Sequence, residues 1–282
     1  MTDSSTVDEP GASGESATCY RHPDREAHIR CVRCNRRICP SCMVDAAVGF
    51  QCPECVRKGN QGARRARTVF GGRVSGNPGY VTKVIIAVNV VAFVLQQVSS
   101  SVTPRFDEYP YAVNDGEYYR LLTATFLHGG VLHIALNMLG LYLFGPPLEA
   151  SLGRLRYGGL YLLSAIGGSA ASYAFSDPRL ASLGASGAVF GLLGAFLVVN
   201  RKLGRDSSGL IGLLVINFVY GFLAAGIDWR AHLGGLVTGC LGAAVIAYSP
   251  GRRRNLAQLA GLALVALAVL ALIAWRTATL AP

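Results

Sequence analysis

Of the 282 residues, 51% are apolar and 15% charged, whereas ordinary soluble domains carry about a quarter charged residues; a wholly water-soluble globule is excluded. The net charge of +10 would suit a nucleic-acid binder, but the basic side chains beyond residue 75 stand in short clusters between apolar runs. That is a pattern of membrane topology, and nucleic acid is not the expected partner.

Residues 1–75 hold 12 of the 26 basic and 8 of the 16 acidic side chains, with seven of the eight cysteines, so a polar, cysteine-rich head precedes an apolar body. In chain order, residues 1–17 are rich in Ser, Gly and acidic side chains. They lack the basic start and apolar run of a cleaved secretory signal and are expected to be disordered. Four ligand pairs at one spacing follow: Cys19-x-x-His22, Cys31-x-x-Cys34, Cys39-x-x-Cys42 and Cys52-x-x-Cys55. Thiolates separated by two residues suit tetrahedral zinc, and eight ligands make two sites. Disulfides are the competing reading, but seven cysteines cannot all pair, and a cytoplasmic head is kept reduced. His28 stays open as a substitute ligand.

With few core candidates (Ile29, Val32, Ile38, Val44, Val48 and Phe50), residues 18–58 need metal for much of their folding energy. The module resembles a B-box-type zinc finger. A cross-braced arrangement is expected, with the first and third pairs on one Zn2+ and the second and fourth on the other, both ions structural. Arg21, Arg25, Arg30, Arg33, Arg36 and Arg37 read as a solvated face, and a protein partner or the membrane surface is the expected contact. Residues 59–78, rich in Gly and Arg, are expected to form a flexible basic linker near the anionic inner leaflet.

Seven apolar stretches approach the roughly 17–25 residues that cross a bilayer as helix: 81–98, 129–148, 155–175, 183–199, 209–226, 229–248 and 256–275. Short cytoplasmic loops collect Lys and Arg. Arg64, Arg65, Arg67, Arg73 and Lys83 before the first span place the head in the cytoplasm. Seven crossings then put Arg154, Arg156, Arg201, Lys202, Arg205 and the run Arg252 to Arg254 inside, and the C-terminus outside. The outer loops are mixed or acidic, and a multi-pass cell-membrane protein is expected. The first outer loop, Ser99 to Phe126, mixes Phe106, Tyr109, Tyr111, Tyr118 and Tyr119 with charge and is expected at the lipid interface.

Ionisable side chains within spans are costly and mark function; His128, His133 and His232 qualify. Spans 2, 4 and 6 all enter from outside, which sets His133, Ser186 and His232 in the outer half of the membrane. Alone, Ser186 in Gly184-Ala185-Ser186-Gly187 reads as a packing serine, and His232 as an interfacial histidine bonding a carbonyl. Gly235 and Gly239, however, leave span 6 with a face bare of side chains, and Ser186, Phe190 and Gly194 share one stripe of span 4. Close contact between the two would set a hydroxyl beside an imidazole, a nucleophile beside a base. His133 and Asn137, four residues apart, must face protein or water; they either bond structurally or donate to an oxyanion.

Together, Gly184-x-Ser186-Gly187, Ala231-His232-x-x-Gly235-x-x-x-Gly239 and His133-x-x-x-Asn137, in their order and on their spans, resemble the rhomboid intramembrane serine proteases over residues 79–250. The resemblance implies an all-α polytopic membrane fold with a six-helix core, to which residues 251–282 add a seventh helix. It implies a Ser186–His232 dyad with no third acid and no catalytic cofactor. The oxyanion site would be His133, Asn137 and backbone N–H groups near Ser186, and the substrates transmembrane proteins cut near their outer ends. Tyr119-Arg120 matches a Trp-Arg pair that many members carry in the first loop, with Tyr for Trp, and Glu149 an acidic residue after span 2. Phe190 stands where some members stack a tyrosine on the histidine. Gly184, Phe190, Gly235 and Gly239 are thus the expected supports of the site.

Because hydrolysis needs water, an outward polar cavity around His133, Asn137, Ser186 and His232 is expected. The competing reading is a catalytically silent rhomboid-like protein that binds or escorts client transmembrane helices. A channel would want an ionisable path through both leaflets, whereas the polar residues of spans 2, 4 and 6 gather at their outer ends.

Overall fold

The computed structural model describes residues 17–61, 66–74, 76–223 and 226–280. The segment expected to be disordered, apart from Ala17, lies outside the described residues, as do Arg64 and Arg65. The chain divides into two compact units, Met1–Arg65 and Ala66–Pro282.

In the first unit, β1 (Ile29–Arg30) pairs with β2 (Arg37–Ile38) and β3 (Val44–Asp45) with β4 (Phe50–Gln51), both antiparallel, and helix α1 (Pro53–Gln61) follows. Its interior is largely sulfur. Cys19, Cys31, Cys39, Cys42, Cys52 and Cys55 are buried with Ala27 and Ile38, while Val32 and Val48 face outward. Two-residue strands and so small an apolar volume do not hold a fold by themselves.

The second unit is helical. Its elements are α2 (Tyr80–Val98), α3 (Val102–Phe106), α4 (Pro110–Asn114), α5 (Arg120–Thr123), α6 (Val131–Leu152), α7 (Arg154–Phe175), α8 (Ser186–Lys202), α9 (Ser208–Leu223), α10 (Trp229–Tyr248) and α11 (Arg254–Thr279). The seven long helices, α2 and α6 to α11, occupy the seven apolar stretches. By length and composition, Tyr80–Val98, Val131–Leu152, Trp229–Tyr248 and Gly251–Thr279 can cross a membrane, and α9 is a shorter apolar helix.

Helices α7 and α8 fall outside that set by length or composition, and protein surrounds them. Tyr157, Leu160, Tyr161 and Ala170 on α7 and Ala188, Leu192 and Ala195 on α8 are buried. Gly, Ala and Ser take positions that Leu and Val hold on the lipid-facing sides of α2, α6 and α9. Small residues let backbones approach closely, and α10 packs on both helices. A Cβ on Gly235 would overlap the Gly187 carbonyl, and one on Gly239 the Gly191 carbonyl, so α8 and α10 meet backbone against backbone.

Two buried ionic devices fix the periphery. Glu149 on α6 accepts the Val81 and Thr82 N–H groups at 3.2 and 3.1 Å, supplying α2 with the N-terminal acceptors that its own Gly79 cap lacks. In the first outer loop, Arg120 donates to Asp107 Oδ1 (3.0 Å), the Pro104 carbonyl (2.9 Å) and Glu117 Oε2 (2.5 Å), which binds α3 to α5 together.

Three features depart from the sequence reading. Helix α8 starts at Ser186 rather than 183, because Gly184 takes φ +134°, which is glycine backbone and not helix. Helix α6 starts at Val131, two residues later than read. Within the stretch read as a flexible linker, residues 66–74 form a turn closed by an Arg67–Arg73 bridge, and its Phe70 is 3% exposed within the core of the helical unit.

Candidate active site

Ser186 opens α8 and His232 lies in the first turn of α10. Ser186 Oγ and His232 Nε2 are 2.8 Å apart. The imidazole is 7% exposed and lies flat on Phe190, with centroids 4.2 Å apart and planes at 10°. An Nε2 that accepts the serine hydroxyl carries the ring proton on Nδ1, and Nδ1 is buried with no partner among the described residues. Asp228, four residues earlier, is engaged elsewhere. Its Oδ1 accepts the Arg230 and Ala231 N–H groups at 3.1 and 3.2 Å, and its Oδ2 accepts the Ser172 hydroxyl. It therefore caps α10 and orients the turn that carries His232.

The first bond of α8 runs from Val189 N–H to the Ala185 carbonyl at 2.9 Å, so the N–H groups of Ser186, Gly187 and Ala188 lie at the positive end of the helix without intrahelical partners. His133 Nδ1 accepts the Gly129 N–H at 3.3 Å, which assigns the ring proton to Nε2. That edge borders Gly184: a Cβ there would come 2.9 Å from His133 Nε2 and 3.7 Å from Ser186 Oγ. Asn137 spends one amide hydrogen on the His133 carbonyl at 3.0 Å and keeps another. His128 packs edge-on against His133, with centroids 5.2 Å apart, while Gln96 clamps its backbone N–H and carbonyl. Both ring nitrogens of His128 are buried with no partner among the described residues.

Glu108 and Asp228 read in the sequence only as outer-loop charge. In the structure Glu108 is 2% exposed and its Oε1 is buried with no hydrogen-bond partner among the described residues, with Ser169, Ser172 and the Asp228 charge close by. Burial, then Asp228, pushes its carboxyl well above the ordinary carboxylate range. Its backbone exchanges hydrogen bonds with Ser182 at 2.9 and 3.0 Å, tying the first outer loop to the segment that leads into Gly184. A cavity of about 10 Å³, room for one water, is lined by Glu108, Thr125, Ser169, Ser182, Gly184 and Gly187 among others. The four residues expected around an open polar cavity, His133, Asn137, Ser186 and His232, are not among its walls.

In the head, the first and third ligand pairs meet in one cluster (Cys19, His22, Cys39, Cys42) and the second and fourth in another (Cys31, Cys34, Cys52, Cys55). All seven are free cysteines. A tetrahedral ion with Zn–S near 2.3 Å sets sulfurs about 3.8 Å apart and sulfur about 3.6 Å from a histidine nitrogen. Cys34 and Cys52 sulfurs are 3.7 Å apart, and His22 Nδ1 lies 3.4, 3.4 and 3.9 Å from Cys39, Cys42 and Cys19. The donor sets fit a metal ion of this kind. His28 stands outside both clusters, beside Glu26 at 3.6 Å.

The Rhomboid domain family model matches residues 115–249. The rhomboid protease GluP of Bacillus subtilis (strain 168) is 35% identical over 206 residues, 69% of this chain and 40% of that protein. RHOMBOID-like protein 5 of Arabidopsis thaliana is 41% identical over 135 residues, 45% of this chain and 43% of that protein. YdcA, a rhomboid relative from the same bacterium as GluP, is 36% identical over 138 residues, 47% of this chain and 69% of that protein. The chain thus spans less than half the length of GluP and of RHOMBOID-like protein 5. The matched region runs from the first outer loop to the end of α10 and includes Ser186, His232 and the glycine seam between their helices; by these likenesses the chain belongs to the rhomboid family.

Proposed function

We propose that this multi-pass membrane protein is an intramembrane serine endopeptidase that cuts transmembrane segments of other membrane proteins near the outer face. The observation that carries the reading is the 2.8 Å approach of Ser186 Oγ to His232 Nε2. Ser186 attacks the peptide carbonyl as His232 takes its proton; the imidazolium then protonates the leaving amine, and water repeats the sequence on the acyl-enzyme. The developing oxyanion is met by His133 Nε2–H, the remaining Asn137 amide hydrogen and the first-turn N–H groups of α8. Phe190 holds the plane of the imidazole. Gly184, Gly235 and Gly239 support the site by carrying no Cβ. A substrate helix must unwind at its outer end, since a helical carbonyl is shielded by its own turn.

The dyad chemistry needs no cofactor. The two head clusters are read as structural Zn2+ sites, closed by four protein ligands each, with the head in the cytoplasm and the C-terminus outside. GluP bears a protease name, and that activity comes to this chain as part of the proposal.

The test uses the purified full chain in detergent with single-span substrates and a fluorophosphonate probe. Wild type cleaves and labels; Ser186→Ala does neither, a loss of at least about a thousandfold. Cleavage that persists in a clean Ser186→Ala preparation overturns the assignment. A wild type that binds a client helix but neither labels nor cleaves supports the silent escort reading instead.

A further inference from the structure

We infer that Arg67, Arg156 and Arg254 form a binding site for a phosphate group, supplied by the headgroup of an anionic lipid, at the end of the helical unit where α7 and α11 begin. The three side chains converge on Gly71. Arg67 Nη1 donates to its carbonyl at 3.2 Å, and a Cβ at this position would come 3.1 Å from Arg254 Cδ and 3.5 Å from Arg156 Nη2. The charges of Arg67 and Arg254 both act on Arg156.

Like charges gathered this closely repel, and no carboxylate pairs with any of the three among the described residues. Their recorded acceptors are neutral: Gln258 Oε1 and Asn255 Oδ1 for Arg156 (2.8 and 2.9 Å), the Val69 carbonyl for Arg254 (3.0 Å) and the Gly71 carbonyl for Arg67. Two other partly buried arginines of this chain do have carboxylate partners. Arg120 has Asp107 and Glu117, and Arg36 has Glu54.

The site is also built rather than incidental. Thr68 closes the turn by accepting the Gly72 N–H at 2.9 Å, and buried Phe70 plugs it into the core. Gln258, 3% exposed, donates to the Phe70 and Ile246 carbonyls at 3.2 and 2.9 Å while it holds Arg156. Guanidinium groups suit phosphate because their planar forks donate in pairs. Arg156 and Arg254 stand in the first turns of long apolar helices, which sets the cluster where hydrocarbon gives way to headgroups.

Native mass spectrometry of the full chain, released from detergent with added phosphatidylglycerol or phosphatidylcholine, tests this. Wild type should retain phosphatidylglycerol about tenfold more strongly. Arg156→Gln with Arg254→Gln should weaken that retention at least roughly tenfold more than the control pair Arg201→Gln with Arg205→Gln, which removes two exposed charges elsewhere; Arg67→Gln should weaken it severalfold. Competition by millimolar inorganic phosphate would show that the site takes free phosphate as well. Lack of competition, with the Arg67→Gln loss intact, would assign it to the headgroup alone. The proposal is overturned if the control pair weakens retention as much as the site pair. It is also overturned if Arg67→Gln, melting as wild type does, retains lipid like wild type; this exposed position decides should the double variant not fold.

Discussion

Asp228 holds two N–H groups at the start of α10 and receives the Ser172 hydroxyl, so it orients the turn that carries His232. Asp228→Ala should lower stability by about 0.5–2 kcal/mol, the usual worth of an N-cap, and slow fluorophosphonate labelling of Ser186. Asp228→Asn, which can still cap, should retain most of both, as thermal melts and labelling rates would show. Glu108 carries a pH signature. Its folded pKa lies above the unfolded value of about 4.3, so the native state holds the extra proton and stability falls as pH rises beyond that value. The melting temperature of wild type should decline from about pH 5 upward. Glu108→Gln should flatten that slope and melt higher than wild type above neutrality; equal slopes would contradict the buried neutral acid. Neither role was legible in the sequence. Both residues sit in loops where acidic side chains ordinarily face water, and the groups around Glu108 include Ala165 and Ser169 on α7 and Ser182 and Gly184 before α8, more than fifty residues away.

The seam between α8 and α10 is the element on which the Ser–His distance depends. Gly235→Ala sets a methyl on the Gly187 carbonyl. It should cost about 1–3 kcal/mol, as overpacking does, and spread the two helices where their first turns carry Ser186 and His232, with labelling lost more steeply than the fold. Gly212→Ala on α9, where a Cβ meets nothing within 4 Å, serves as the control and should be neutral or slightly stabilising. The span-6 side of this seam was legible, because Gly235 and Gly239 announce a bare face and His232 lies one turn before them; on span 4 the sequence offered the stripe of Ser186, Phe190 and Gly194, whereas the carbonyls that meet those glycines belong to Gly187 and Gly191. The start of α8 was not legible. Apolar runs measure length and say nothing of φ, and the left-handed Gly184 that turns the chain into α8 looks in sequence like one more small residue of the helix. Helix α2 shows the same limit, for its N-terminal acceptor is Glu149, supplied from α6.

At the scale of the molecule, a cysteine-built unit and a helix-built unit share one chain, and each is expected to answer to a different reagent. Full-length protein should carry two zinc ions per chain by elemental analysis. A chelator should release both and expose residues 17–61 to protease, while Ser186 labelling in the helical unit continues; a chain that keeps its protease resistance after the metal is gone would count against metal as the source of that unit's order. The pairing of ligands and the count of long helices were readable from spacing and hydropathy, whereas the docking of residues 66–74 was not, because its apolar anchor, Phe70, is a single aromatic among Gly and Arg and its other anchors are backbone carbonyls held by Arg254 and Gln258.

The low apolarity of α7 and α8 bears on how the chain is made. A segment emerging from the ribosome partitions into lipid according to its own side chains, and these two, rich in Gly, Ala and Ser, are weakly fitted to leave the translocation channel singly. They have to be retained until α10 is synthesised and can cover them, so the helices that hold the candidate nucleophile and base would enter the bilayer as one cohort.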